Sequence, residues 1–152
     1  MRRKERETDK ETALRILKDS SYGVLAMMRP DGTPYGVPVS IVLVEGDVYF
    51  HCAKAGEKLD CIRNQPKVCL TCVGNIRPVP EKLTMAYESC IVNGRASMVE
   101  EESEKCFILR CLCEKYAPEN PEGFFSLTLE EVANTGICKI AIDSITGKRN
   151  PG

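Results

Sequence analysis

The sequence has no apolar run of about 18 residues, so it offers no candidate for a membrane-spanning helix. It has no surplus of basic charge either. Its 21 Lys and Arg residues stand against 22 Asp and Glu, which argues against a dedicated nucleic-acid-binding protein. The first 20 residues are too highly charged for a secretory signal. We therefore expect a cytoplasmic protein whose partners include neither a membrane nor a nucleic acid.

The motifs of several common enzyme classes are also missing. The chain lacks the GxSxG of serine hydrolases, the HExxH of metalloproteases, the GxGxxG of dinucleotide-binding folds and the GxxxxGK[ST] of P-loop proteins. What remains is an ordinary globular composition, with 43% hydrophobic and 28% charged residues, which argues against disorder. The length of 152 residues predicts one domain, residues 1–152.

Nine cysteines are present, an odd number that cannot pair completely within the chain. Without a secretory signal, we expect free thiols in a reducing cytosol. A metal site is the alternative, but no spacing supports it. Cys69 and Cys72 lie on a predicted strand and point to opposite faces, and Cys111 and Cys113 lie about 200° apart on a predicted helix. Zinc requires converging ligands, so no metal site is predicted.

Hydrophobic periodicity and turn signals predict about six strands, with helices inserted at three points. Capping boxes of Thr8 with Glu11 and of Thr128 with Glu131 mark the starts of two helices. This order favours a mainly-β fold, a small β-barrel with peripheral helices, over a parallel sheet with a helix between most strands. The predicted strands are 22–28, 35–44, 48–52, 67–73, 85–99 and 137–142. The predicted helices are 9–19, 57–64, one opening near Glu101 and a short one after Thr128. Segments 75–82 and 145–152 are predicted to be irregular.

The segment from Val48 to Pro66 carries the strongest indication of a binding site, because it runs from a strand through a glycine-containing loop into a helix. Gly56 allows the backbone to approach a bound group, and the helix N-terminus attracts anions. Lys54 and Lys58 could both reach one phosphate. The alternative is that both lysines simply face solvent.

His51, the only histidine, lies at the end of this strand. Imidazole exchanges protons near neutral pH, so His51 is a candidate proton donor or ligand contact; the alternative is a hydrogen-bonded structural ring. Cys52 is adjacent, but neighbouring residues of a strand face opposite sides. A Cys–His nucleophile is therefore not expected.

Four segments carry a resemblance to a known family: MRRKERE, DGTPYGVPVSIVLVEGDVYFHCAKAGEKLDCIRNQPKVC, YESCIVNGRASMVEEESEK and IDSITGKRNP. The whole chain resembles the FMN-binding split β-barrel proteins related to pyridoxamine 5'-phosphate oxidase, and within them the nitroimidazole-resistance-type branch. The resemblance implies a mainly-β, six-stranded antiparallel split β-barrel with peripheral helices, which forms a homodimer with FMN near the subunit interface.

The resemblance also assigns roles to residues. Val37, Pro38, Val39 and Ser40 would line the flavin ring, and the segment HCAKAGEK would hold the phosphate. Ser89 would make a polar contact, His51 would lie near the flavin or its substrate as the catalytic residue, and Lys148 with Arg149 could approach the cofactor. The implied cofactor-binding residues are Val37, Pro38, Val39, Ser40, His51, Cys52, Ala53, Lys54, Gly56, Lys58, Ser89 and Lys148.

The chain also departs from true pyridoxamine phosphate oxidases. It has Glu57-Lys58 where they carry an Arg-Lys pair, it contains no tryptophan, and it ends in KRNPG instead of an arginine-rich, tryptophan-containing segment. Oxidation of pyridoxamine phosphate is therefore not expected. The resemblance favours a flavin-dependent reductase of a small, nitro-aromatic acceptor, with a small-molecule electron donor. A non-catalytic flavin- or haem-binding module and a thiol-based redox sensor are the alternatives.

Overall fold

The computed structural model describes residues 2–120 and 122–152; Met1 and Pro121, which fall within the predicted domain, lie outside the described residues. The strands are β1 Glu7–Thr8, β2 Gly23–Met28, β3 Pro34–Val39, β4 Ile41–Val44, β5 Asp47–Ala53, β6 Lys67–Val79, β7 Thr84–Met98 and β8 Thr135–Asn150. The helices are α1 Lys10–Asp19, α2 Glu57–Asn64, α3 Glu102–Tyr116 and α4 Leu129–Asn134, with 3-10 turns at Lys4–Arg6, Pro80–Lys82 and Gly123–Ser126.

The strands form one antiparallel sheet in the order β3-β2-β6-β7-β8-β5-β4, with β1 added beside β8. The predicted mainly-β fold with peripheral helices is confirmed, but the described residues form eight strands where six were predicted. The edge strands β3 and β4 are consecutive in the chain and separated only by Ser40. Since one residue cannot span a flat sheet of seven strands, the sheet must curl until its two edges meet. The result is a barrel-like sheet, and among the described residues no hydrogen-bonded ladder joins its edge strands β3 and β4.

Two segments predicted to be irregular belong to strands. Residues 145–150 continue β8 and pair with β7 as far as Tyr87 opposite Asn150. Residues 75–79 continue β6, after a register shift between Gly74 and Arg77. In both segments, backbone hydrogen bonds to β7 form the strand. The side chains show little alternation of apolar and polar character, so the sequence pattern did not indicate a strand.

The inward face of the sheet forms the main core, which includes the fully buried Leu25, Phe50 and Leu70. Helix α1 closes part of this core with Ile16 and Leu17. A second cluster lies on the other face of β4 and β5, where helix α3 packs. It consists of Val42, Tyr49, Ile108, Leu109, Leu112 and Ile137.

The helix starts are largely as predicted. The Thr128–Glu131 capping box is present at α4. Helix α1 begins one residue later than predicted, because the Asp9 side chain, and not a Thr8 capping box, accepts from the N–H of Thr12. In the part of the chain that the structure describes, no helix combines the length and apolar character needed to cross a membrane.

Gly94 marks a point where two strands approach closely. The β7–β8 register shifts between Asn93 and Gly94. A Cβ atom at Gly94 would overlap the backbone oxygen of Ala141 and lie 2.8 Å from Cγ2 of Ile140. Backbone atoms of a central ladder cannot move away without loss of pairing, so only glycine fits here.

We expect Gly94→Ala to lower the free energy of unfolding by about 1–3 kcal/mol, as overpacking does in other cores. Gly74→Ala is the matched control, because its Cβ would meet nothing within 4 Å. This control should change stability by no more than about 1 kcal/mol. Urea denaturation of both variants measures the difference, and equal losses would contradict the close-approach explanation.

Candidate functional site

The register of β4 and β5 brings together two segments predicted to bind a cofactor. Ile41 pairs with Phe50, so the next residues, Ser40 and His51, occupy neighbouring positions. Residues 37–40 and 51–58 therefore meet where the two edges of the sheet converge. We call these two segments the α2 site.

The side chains of β5 alternate as predicted. His51 and Ala53 are exposed, whereas Cys52 is buried on the core face. Burial raises the pKa of the Cys52 thiol, and the nearby positive charge of Lys58 opposes that rise. With its thiol facing away from His51, Cys52 can offer the exposed face only backbone atoms. The arrangement does not form a Cys–His nucleophile.

Helix α2 begins without a side-chain cap. Gly56 occupies the N-cap position with φ 128°, and no side chain accepts from the first turn. The other three α-helices are capped by Asp9, Glu101 and Thr128. The first N–H groups of a helix have no partner within it. In α2, Leu59 and Asp60 already donate to the Gly56 oxygen, so the N–H groups of Glu57 and Lys58 are the donors available to an anion, which fits a phosphate group.

Lys58 and Lys54 differ in their surroundings. Lys54 is exposed. Lys58 is half-buried, with Nζ 5.2 Å from the centroid of the Phe50 ring. A lysine held over an aromatic ring is more ordered than a solvated surface lysine. This placement favours a binding role for Lys58 over the alternative of a lysine that simply faces solvent.

Arg29 is a further residue at this site, and the sequence analysis missed it. It lies at the end of β2, where its Nε donates to the Glu57 carboxylate and its guanidinium stacks 4.7 Å from the centroid of the Tyr35 ring. The hydrogen bond to Glu57 raises the pKa of Arg29. A positive side chain thus reaches the α2 terminus from another strand, although position 57 itself is acidic. No sequence motif links Arg29 to position 57, because the contact depends on how the end of β2 packs against α2.

The remaining predicted contacts lie elsewhere. Ser89 on β7 pairs directly with Lys148 on β8, and Lys148 Nζ lies 5.5 Å from the centroid of the Tyr87 ring. Lys148, together with Arg6, lowers the pKa of the Tyr87 phenol. We call Arg6, Tyr87, Ser89 and Lys148 the β7–β8 site.

The two sites are separated along β8. His51 pairs with Ile137, whereas Ser89 pairs with Lys148, so the path along β8 from one site to the other is about 36 Å. The structure therefore brings residues 37–40 and 51–58 together but leaves Ser89 and Lys148 in a second group.

A buried carboxylate organises the area beside the β7–β8 site. Glu88 accepts from Arg15 at 3.0 Å and from Asn75 at 2.8 Å, and Nε of Arg149 lies 3.2 Å from its other oxygen. Burial raises the pKa of Glu88, but the hydrogen bonds from Arg15 and Asn75 and the charge of Arg149 outweigh it, so the pKa is lowered overall. Arg149, predicted to approach the cofactor, is thus held by Glu88.

No group of three or more His, Cys, Asp or Glu side chains suited to a metal ion occurs within residues 2–120 and 122–152. All nine cysteines are free thiols.

The family model described as pyridoxamine 5'-phosphate oxidase matches residues 9–149, so the chain belongs to that family. No curated protein matches the sequence.

Solved structures show the same fold. A Bacteroides thetaiotaomicron protein, provisionally named for 5-nitroimidazole antibiotic resistance, is 24% identical with a TM-score of 0.81, over 93% of this chain and 84% of that one. The flavocytochrome Anf3 from Azotobacter vinelandii is 23% identical with a TM-score of 0.80, and the match covers 95% of this chain and 68% of that one. An FAD and haem binding protein from Mycobacterium smegmatis is 18% identical with a TM-score of 0.81, and the match covers 95% of this chain and 73% of that one.

Glu88→Gln tests the buried carboxylate. Because the pKa of Glu88 is lowered in the folded chain, its contribution is present above the unfolded value of about 4.3 and is lost as pH falls through the folded value. We expect the variant to lose about 1–3 kcal/mol of unfolding free energy at pH 7. The difference in unfolding free energy between the variant and the unmodified protein should become smaller below about pH 4.

The exposed pair Arg110–Glu114, at 2.9 Å, provides the control. Glu114→Gln should change stability by less than about 1 kcal/mol, and denaturant curves at several pH values measure both variants. A Glu88→Gln loss that does not depend on pH would show that the carboxylate charge is not what stabilises this region.

Proposed function

We propose that this chain is an FMN-binding flavoprotein that reduces a small acceptor, with a nitro-aromatic compound as the acceptor class. The observation that carries the proposal is the uncapped N-terminus of α2, which carries the half-buried Lys58 and follows the strand end where His51 neighbours Ser40. Membership of the pyridoxamine 5'-phosphate oxidase family, and neighbours named as a flavocytochrome and as an FAD and haem binding protein, support a flavin as the ligand.

The residues present fit this cofactor. The phosphate would accept from the first N–H groups of α2 and pair with Lys58 and Lys54, while Gly56, where nothing lies within 4 Å of a Cβ position, leaves room for it. Val37, Pro38, Val39 and Ser40 would line the ring. Bound flavin supplies two-electron transfer from a nicotinamide-type donor to the acceptor. His51, exposed beside Ser40, would donate a proton from its imidazole to the acceptor.

We further propose that the functional unit is a homodimer in which each cofactor contacts both subunits. Exposed apolar side chains, among them Val24 and Ile91, follow the outer face of β2, β6 and β7. Val24 pairs with Pro38 of the α2 site, and Val73 pairs with Ser89 of the β7–β8 site. This apolar face thus links the two sites, and such a face favours association. Two-fold packing would set the α2 site of one subunit against its partner's β7–β8 site.

A haem-binding module is the second candidate. It is favoured by the exposure of the only imidazole, His51, since haem iron takes a histidine as its axial ligand. Neighbours named as a flavocytochrome and as an FAD and haem binding protein support it. The visible spectrum of the purified protein separates the candidates, because haem and flavin absorb at different wavelengths. The free thiols suit a cytoplasmic location for either candidate.

Replacing Lys58 and His51 separates binding from catalysis. Lys58→Met keeps the aliphatic stem over Phe50 but removes the charge, so we expect FMN affinity to fall about 10–100-fold, with riboflavin affinity unchanged. His51→Ala should retain FMN and lose acceptor reduction. Fluorescence titration and an NADH- or NADPH-linked assay measure the two effects.

Lys18→Met, an exposed position on α1, is the control and should leave both measurements unchanged. If Lys58→Met binds FMN normally while His51→Ala purifies without cofactor, the two roles are reversed. A protein that takes up neither FMN nor riboflavin would overturn the proposal.

A subunit-mixing experiment tests the shared site. One variant, Lys58→Met, is defective in the α2 site, and the other, Ser89→Ala with Lys148→Met, is defective in the β7–β8 site. Each homodimer carries two half-defective sites, whereas a mixed dimer carries one intact and one doubly defective site. Random assembly of equal amounts should restore about a quarter of the wild-type FMN capacity. Light scattering verifies the dimer, and no recovery in verified mixed dimers would contradict the shared site.

A further inference from the structure

Two cysteines face each other inside the barrel. Cys72 on β6 and Cys90 on β7 are directly opposite in the ladder, and both side chains are buried. Directly opposite residues of antiparallel strands have Cα atoms about 4.5 or 5.5 Å apart, and disulfides span about 4.4–6.8 Å. The backbone therefore holds the two Cα atoms within the separation that a disulfide spans.

The other strand cysteines lack this arrangement. Cys69 faces Asn93, Cys52 faces Gly136, and Cys138 faces Phe50 and Met98. Cys52 and Cys138 are diagonal neighbours, which stand about 7–8 Å apart and so lie beyond disulfide range. Among the strand cysteines, only Cys72 and Cys90 are opposite each other.

A half-buried lysine lies beside this pair. Lys115 of α3 donates from Nζ to the backbone oxygens of Ser20 and Ile41, both at 2.8 Å. Burial lowers the pKa of Lys115, and the nearby Cys72 opposes that change. The pKa of Cys72 is lowered by its hydrogen bond with Cys90, by Ser20 and by the charge of Lys115, which outweigh burial. Ser20 and the positive charge of Lys115 lie on the Cys72 side of the pair and favour a thiolate there, and the thiolate is the reactive form.

A cavity lies close to the pair. A cavity of about 240 Å³ is lined by Ile16, Ser20, Val73 and Gly74, among others. Val73 follows Cys72 directly, and Ser20 lies on the Cys72 side of the pair. This cavity is large enough for hydrogen peroxide, although the sulfurs themselves are covered.

We propose that Cys72 and Cys90 form a reversible intrachain disulfide on reaction with a peroxide. The Cys72 thiolate attacks one peroxide oxygen, which forms an S–O bond and breaks the O–O bond; the released hydroxide takes a proton and leaves as water. The Cys90 sulfur then attacks the Cys72 sulfur, the S–O bond breaks, and the departing oxygen takes the Cys90 proton to leave as a second water. Two thiols are oxidised and one hydrogen peroxide is reduced to two waters. A thiol reductant reverses the change by exchange.

Peptide mapping tests the linkage. The full-length protein is treated with hydrogen peroxide, its remaining thiols are alkylated under denaturing conditions, and the digest is analysed by mass spectrometry without reduction. We expect a Cys72–Cys90 linked peptide that disappears after dithiothreitol. Cys72→Ala and Cys90→Ala should each abolish it, and Cys61→Ala, a buried cysteine on α2, is the control that should keep it.

A second readout is independent of these variants. The bond closes a loop of the wild-type chain, so oxidation should raise Tm by about 5–10 °C, and reduction should reverse the rise. Lys115→Met should slow oxidation roughly threefold or more, and Lys115→Arg should restore most of the rate. The proposal is overturned if both thiols remain alkylatable while other cysteines oxidise, or if the linkage joins two chains.

Discussion

The connection through Ser40 is the constraint on which the rest of the structure depends. It joins β3 to β4, which are the two opposite edges of a seven-strand path. Because a single residue makes the connection, the sheet must curl, and its inward face becomes an enclosed core that helices need to cover only in part. The same connection sets residues 37–40 beside His51. The barrel and the α2 site therefore arise from one feature of the backbone.

Sequence patterns correctly predicted features that depend on neighbouring residues in the chain, such as helix ends and the alternation of side chains along a strand. Helix α2 has the predicted bounds of 57–64, because Gly56 and Pro66 mark its two ends. The opposite orientations of His51 and Cys52 follow from the two-residue period of a strand. The predicted single strand 35–44 is wrong, because a run of β-branched residues does not reveal that the chain changes edges at Ser40. The tail 145–150 was missed because its ladder with β7 is a long-range pairing with little side-chain signature.

The parts of the site that escaped prediction come from tertiary contacts. Arg29 reaches Glu57 across 28 residues of sequence, and Arg15 reaches Glu88 across 73. Neither pairing has a motif, because each ion pair depends on how a loop or helix packs on the sheet. The division of the predicted contacts into two groups also required the register of β8. The family resemblance implied a set of cofactor-binding residues. The strand pairing shows which of those residues lie close together within one chain.

The bare start of helix α2 has a consequence for the dynamics of the chain. A Ser, Thr, Asp or Asn cap contributes roughly a few tenths of a kcal/mol more than glycine, and α2 forgoes that difference at Gly56. Without a bound anion, the first turn of α2 should open more often than those of its capped neighbours, since local opening is easiest where backbone groups lack partners. An anion at this terminus would act as the missing cap. Occupancy of the terminus would then be visible as slower amide exchange at Glu57 and Lys58. Without a bound anion, proteases would cut the protein first in the exposed loop ahead of α2.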